Sequence, residues 1–122
     1  MKSNSEKPAI LCAVDPEGQQ QMAADLKEVL YGIEEEQIPC ELTNISENDV
    51  IKRAYEAAES SRLSVGLAYD QKKVIVHYKN LDENKPLFKV DRKDGLTALR
   101  HLGNNAARLV KGVPFKNNDQ IL

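Results

Sequence analysis

Hydrophobic residues along this chain form short continuous runs, separated by stretches in which they recur every three or four residues. The first run, residues 9–14, is wholly apolar and stops at Asp15, which is typical of a buried strand. Residues 19–36 carry an apolar stripe along one face of a predicted helix, and Pro39 ends it. A segment that resembles a capping box, residues 46–49, predicts the start of a second helix.

Four further strand-like runs follow at residues 40–45, 63–69, 73–78 and 87–90. Only three residues separate the third strand from the fourth, so this pair is expected to return antiparallel as a hairpin. Asp94 is placed to cap a last helix, which ends before Gly112 and Pro114. This order of elements predicts a three-layer α/β domain with a mixed sheet.

The 122 residues fit one domain, which we place at residues 8–115. Residues 1–7 are predicted to be a disordered N-terminus and residues 116–122 a polar tail. A net charge of −2 provides no electrostatic footprint for nucleic acid, and no apolar stretch is long enough to span a membrane. The N-terminus lacks the organisation of a signal peptide. We therefore expect a cytoplasmic domain with neither nucleic acid nor membrane as a partner.

No familiar catalytic or phosphate-binding motif occurs in the sequence. The two histidines, His77 and His101, lie on different predicted elements, which favours structural or surface roles over a ligand or base role. Cys12 and Cys40 lie in apolar runs without CxxC spacing, so we interpret them as reduced, buried thiols. We predict no catalytic residue and no cofactor site within this chain alone.

Three carboxylates, Glu34, Glu35 and Glu36, fall in the last turn of the first predicted helix. This end of a helix carries partial negative charge, so carboxylates here are misplaced. One interpretation is an exposed acidic end that water solvates. The other is a carboxylate offered to a cation or metal of a partner, because Mg²⁺ is commonly held by one or two protein carboxylates plus phosphate oxygens and water.

Three poor helix formers, Gly103, Asn104 and Asn105, stand together inside the last predicted helix. Together they cost about 2 kcal/mol relative to alanine. Glycine permits close approach of another backbone, and asparagine makes several hydrogen bonds at once. The segment is therefore either an internal contact or a docking face for a partner, and both interpretations stay open.

Four ordered segments resemble the small subunit of diol/glycerol dehydratase reactivase. They are GIEEEQIP, VHYKNL, PLF and GNNAARLVKGVPF, at residues 32–39, 76–81, 86–88 and 103–115. The resemblance extends from about residue 8 to residue 115. It departs at Gln37, where the family pattern has glycine, and at Cys40, where a bulkier apolar residue is common.

The resemblance implies a five-stranded mixed α/β/α sandwich, mainly parallel with one antiparallel strand. It also implies a non-catalytic subunit of an ATP-dependent, chaperone-like reactivase. That complex releases damaged cobalamin from adenosylcobalamin-dependent diol or glycerol dehydratase by subunit exchange. The implied partners are a large ATPase subunit, in a hetero-oligomer with two copies of each chain, and the large subunit of the dehydratase. The implied location is cytoplasmic, and association with a bacterial microcompartment is left open.

The resemblance assigns one ligand to this chain: Glu35 is placed at the Mg²⁺ beside the ADP or ATP of the large subunit. We therefore predict Glu34, Glu35, Glu36, Asn104 and Asn105 as the partner interface. Two rival functions remain in view. One is a medium subunit of the dehydratase itself, which would bind cobalamin. The other is a flavodoxin-like small-molecule binder, although acidic residues after the first strand would repel phosphate.

Overall fold

The computed structural model describes residues 7–14 and 22–116. Five strands, three α-helices and one short 3₁₀ turn make up this part of the chain. In order they are β1 (Ile10–Val14), α1 (Ala24–Glu35), β2 (Cys40–Asn44), α2 (Val50–Ser60), β3 (Val65–Tyr69), β4 (Lys73–Tyr78), β5 (Phe88–Asp91), the 3₁₀ turn (Arg92–Asp94) and α3 (Leu96–Lys111). None of the described helices is both long and apolar enough to cross a membrane.

The five strands form one mixed sheet in the order β2-β1-β3-β4-β5. β1 pairs in parallel with both β2 and β3, whereas β4 is antiparallel to its neighbours β3 and β5. The predicted five-stranded mixed sheet with one antiparallel strand is therefore confirmed. The predicted hairpin is confirmed too, since Val65 of β3 lies opposite Tyr78 of β4.

Successive residues of β1 belong to different hydrophobic clusters. Ile10 and Cys12 pack in the larger cluster with apolar residues of α1 and α3. Leu11 and Ala13 pack in a smaller cluster with alanines of α2. Because side chains alternate across a strand, α1 and α3 lie on one face of the sheet and α2 on the other.

The predicted helix starts differ from the observed ones. α2 begins after Asp49, whose side chain makes no capping hydrogen bond, and the Asp49 N–H instead donates to the Glu47 carboxylate. α3 begins after Gly95, and Asp94 belongs to the 3₁₀ turn before it. Both capping predictions are therefore wrong. The expectation for residues 1–6, the start of the first predicted helix at residues 19–21 and the tail at residues 117–122 lie outside the described residues.

Helices α1 and α3 pack backbone to backbone at two glycines. A Cβ atom on Gly103 would overlap the carbonyl oxygen of Val29, and one on Gly32 would overlap the carbonyl oxygen of Arg100. The same atom on Gly32 would lie 2.9 Å from the backbone nitrogen of Asn104. Any side chain at either position would separate the helices, so this crossing places the last turn of α1 against the middle of α3.

Candidate functional site

The last turn of α1 and the facing side of α3 form a polar cluster, here called the α1–α3 cluster. On the α1 side it contains Glu35, the last residue of that helix, and Glu36 directly after it. Its α3 members are Arg100, Asn104, Arg108 and Lys111. The four α3 residues recur every three or four positions, so one face of that helix presents them all to α1. The acidic turn is visible in the sequence, and the helical spacing of the α3 residues is the signal that could have paired the two.

Two cations of α3 hold the Glu36 carboxylate. Arg108 Nε lies 3.0 Å from one carboxylate oxygen and Lys111 Nζ lies 2.7 Å from the other. The Glu36 side chain is only 10% exposed. Hydrogen bonds from Lys111 and Arg108 hold the pKa of Glu36 below its usual range. These contacts offset the unfavourable position of a carboxylate at the helix C-terminus.

Glu35 receives one neutral donor and one cation. The Asn104 side-chain amide donates to Glu35 Oε1 at 3.1 Å, and Arg100 Nη1 donates to Oε2 at 2.7 Å. Arg100 also donates a hydrogen bond to the carboxylate of Glu28, which lies nearer the start of α1. The Asn104 hydrogen bond and the Arg100 charge hold the pKa of Glu35 below its usual range. Its side chain remains 49% exposed, so this carboxylate is ionised, oriented and open to a ligand from outside.

Glu34 faces the opposite way, toward the edge strand β2. Its side chain is exposed, and no ion pair joins it to another residue within the described ranges. It borders an apolar groove whose other lining residues are Leu30, Ile38, Pro39, Cys40 and Leu42. The interpretation of a solvated acidic residue thus fits Glu34, but it does not fit Glu35 or Glu36.

Asn104 and Asn105 are fully buried. Asn104 donates to the Gly32 carbonyl oxygen at 2.7 Å as well as to Glu35. Asn105 exchanges two hydrogen bonds with the backbone of Lys116, at 2.8 and 2.6 Å. Of the two interpretations left open, these contacts are those of an internal contact. In this conformation, neither asparagine is accessible as a docking face.

Gln37 forms the turn after α1 in a left-handed conformation, with φ of 65°. Its N–H donates to the Glu34 carbonyl oxygen at 2.9 Å, and the Glu36 N–H donates to Ile33 at 3.1 Å. Glycine is the residue that adopts this conformation without strain. Gln37 therefore adopts the left-handed backbone conformation that a glycine, as in the family pattern, would adopt without strain.

His77 has a structural role. Its side chain is fully buried, its Nδ1 accepts the Tyr78 N–H at 3.0 Å, and its Nε2 lies 3.0 Å from the Glu83 carbonyl oxygen. Because Nδ1 accepts, Nε2 carries the proton and donates to Glu83. His101 is half-buried on α3. The two histidines do not come together in one site.

Both thiols are reduced and sheltered. Cys12 is buried and Cys40 is half-buried. Burial raises the pKa of Cys12 to about 12, and it raises the pKa of Cys40 as well. Thiols of this kind are poor nucleophiles at neutral pH. The prediction that they are packed thiols in strands agrees with these surroundings.

Among metals, a hard divalent cation such as Mg²⁺ matches the oxygen donor that the α1–α3 cluster offers. Glu35 presents an ionised oxygen donor, and Mg²⁺ prefers such donors. Within residues 7–14 and 22–116, no three His, Cys, Asp or Glu side chains lie close enough together to hold a metal ion. A metal ion at Glu35 would therefore need its other ligands from outside these residues.

Comparison with known proteins places the chain in a family. The model of the family described as "Dehydratase medium subunit" matches residues 7–116. The propanediol dehydratase-reactivating factor small subunit of Salmonella typhimurium is 45% identical over 117 residues, which cover 96% of this chain and 97% of that protein. The diol dehydratase-reactivating factor small subunit of Klebsiella michiganensis is 50% identical over 91 residues, covering 75% and 73% respectively.

A solved structure agrees with these sequence matches. It is the structure of a diol dehydratase-reactivating factor complexed with ADP and Mg²⁺. One of its chains superposes with a TM-score of 0.82 at 45% identity, covering 91% of this chain and 99% of that one. The chain therefore belongs to the dehydratase medium subunit family, and these relatives identify it as a small subunit of a dehydratase-reactivating factor.

Proposed function

We propose that this chain is the non-catalytic small subunit of an ATP-dependent reactivase for adenosylcobalamin-dependent diol or glycerol dehydratase. The observation that carries the proposal is end-to-end similarity to the Salmonella small subunit, at 45% identity over almost the full length of both chains. That match also favours a reactivase subunit over a medium subunit of the dehydratase itself.

In the proposed complex, the ATPase activity resides on the large subunit, and two copies of each chain assemble. The small subunit leaves this complex so that the large subunit can dock on an inactivated dehydratase. Damaged cobalamin then escapes and intact cofactor rebinds. We place this cycle in the cytoplasm or in an associated bacterial microcompartment.

Glu35 is the residue through which we propose that this chain reaches the nucleotide site. Mg²⁺ bound there would neutralise phosphate charge and link the nucleotide to the small subunit. The support is local: Glu35 is ionised, half-exposed and held by donors that leave part of its carboxylate free. A carboxylate in such a position would make small-subunit binding depend on the nucleotide and on the metal. Glu34 and Glu36 flank it in the proposed interface with the large subunit.

The test is reconstitution with the large subunit and dehydratase inhibited by cyanocobalamin. Glu35→Gln removes the charge and keeps the shape, and Glu59→Gln serves as the matched control, since Glu59 is an exposed glutamate of α2 on the other face of the sheet. We expect Glu35→Gln to weaken assembly in ADP and Mg²⁺ and to change the ATP-driven recovery of dehydratase activity, while Glu59→Gln behaves as wild type. Wild-type behaviour of Glu35→Gln in both assays would overturn the role of Glu35. Failure of the wild-type chain to support reactivation would overturn the function itself.

A further inference from the structure

The buried side-chain amide of Asn104 connects the acidic last turn of α1 with the Gly103–Asn105 segment of α3. Both segments contain residues that are unfavourable at their positions in a helix. Its nitrogen donates to the Gly32 carbonyl oxygen at 2.7 Å and to Glu35 Oε1 at 3.1 Å. Its oxygen accepts a hydrogen bond from Lys116 Nζ at 3.2 Å. Both amide protons and the amide oxygen are therefore engaged, which fixes the orientation of the side chain.

We propose that Asn104 is a positioning residue, which holds the Glu35 carboxylate in one orientation for metal ligation. The inference rests on the proposed function, because it takes Glu35 as the ligand. Asn104 itself touches neither metal nor nucleotide. It acts as the hydrogen-bonded support that ligating carboxylates commonly have behind them.

An amide suits this task better than a cation does. A carboxylate has about four acceptor positions, and Asn104 and Arg100 account for one each. The hydrogen bond from Asn104 orients Oε1 without neutralising the charge that attracts a metal. A lysine or arginine at position 104 would add a positive charge beside Glu35, and this charge would repel the incoming cation.

The hydrogen bonds from Asn104 to Gly32 and Glu35 also explain why a poor helix former, Gly103, stands beside it. Gly103 brings α3 so close to α1 that the Asn104 side chain reaches both Gly32 and Glu35. Asn105 makes a different contact, since it exchanges hydrogen bonds with the backbone of Lys116. The stability lost at Gly103 and Asn104 thus supports one oriented carboxylate at the protein surface.

Asn104→Ala tests the proposal, with Asn105→Ala as the matched control. Both variants remove a fully buried amide from adjacent positions of α3, but only the first removes a donor to Glu35. We expect Asn104→Ala to raise the pKa of Glu35 in the isolated chain toward the usual glutamate range, measured by carboxyl ¹³C NMR. We also expect about 10- to 100-fold weaker binding to the large subunit in ADP and Mg²⁺. In ADP with EDTA, Asn104→Ala and Asn105→Ala should bind alike.

The outcomes separate this inference from the proposed function. If Glu35→Gln weakens Mg²⁺-dependent binding but a folded Asn104→Ala does not, Asn104 has no positioning role. If Glu35→Gln has no effect, both the ligand assignment and the inference fail. Should Asn104→Ala not fold, Asn104→Leu takes its place, because leucine keeps the branched shape of asparagine, favours a helix and donates no hydrogen bond. A folded Asn104→Leu that binds the large subunit in ADP and Mg²⁺ as tightly as wild type would overturn the inference.

Discussion

Gly103 packs directly against the backbone of Val29, so α1 and α3 cross without a side chain between them. In an ordinary helix, glycine to alanine gains about 1 kcal/mol. Here the added Cβ would overlap a carbonyl oxygen of α1, so we expect Gly103→Ala to lower the free energy of unfolding by about 3 kcal/mol or more. Urea denaturation followed by circular dichroism measures it.

Gly112→Ala is the control for this prediction. A Cβ on Gly112 meets nothing within 4 Å, but its φ is 72°. Alanine there costs only the left-handed backbone conformation, about 1–2 kcal/mol. A Gly103→Ala variant as stable as Gly112→Ala would contradict the close approach of the two helices.

β1, β3 and β4 could be predicted from the sequence because apolar residues dominate them and polar or turn residues bound them, whereas β2 and β5 mix apolar and polar residues. The helix starts could not, because residues 46–49 and Asp94 have suitable capping chemistry, yet α2 begins after Asp49 and α3 after Gly95, and neither of these residues makes a side-chain capping hydrogen bond. Capping depends on the backbone entering the helix at the right angle, and tertiary packing sets that angle.

The candidate site could be predicted only in part. The acidic turn and the Gly103–Asn105 segment were each visible as local departures from helical preference. Their connection was not, because Glu35 and Asn104 are 69 residues apart in sequence and meet only when α1 packs on α3. Because the sequence does not show that α1 packs on α3, it also left open whether the two asparagines face inward or toward a partner.

Glu36 gives the α1–α3 cluster a pH-dependent contribution to stability. Its folded-state pKa lies below the unfolded value of about 4.3, so its stabilising effect is complete above that pH and is lost as the pH falls through the folded pKa. We expect Glu36→Gln to lower the free energy of unfolding by about 1 kcal/mol at pH 7. The difference from wild type should shrink as the pH falls below about 4. Denaturant titrations at pH 7, 5 and 3 measure this, with Glu34→Gln as a control that should match wild type.

Gln37 holds a left-handed conformation that costs a residue with a Cβ about 1–2 kcal/mol. Gln37→Gly removes that strain but enlarges the conformational freedom of the unfolded chain, so the two effects partly cancel. We expect a net gain of about 0.5–1 kcal/mol in the free energy of unfolding. Thermal and urea denaturation should both report it. A loss of stability instead would mean that the Gln37 side chain contributes contacts that outweigh the backbone strain.

Arg100 and Asn104 both donate to Glu35, but they should act on metal-dependent binding in opposite directions. Arg100 bridges Glu28 and Glu35, and its positive charge lies against the carboxylate that we propose as a metal ligand. Removing that charge lowers the repulsion that an incoming cation meets, while Asn104 still orients the carboxylate. We expect Arg100→Gln to tighten binding to the large subunit in ADP and Mg²⁺ by roughly threefold to tenfold, with no such gain in EDTA.

Arg92→Gln is the matched control, because it removes the same charge from an ion pair with Asp25, at the opposite end of α1. Equal gains in both variants would trace the effect to net charge alone, and weaker binding of Arg100→Gln would mean that Arg100 itself contacts the partner.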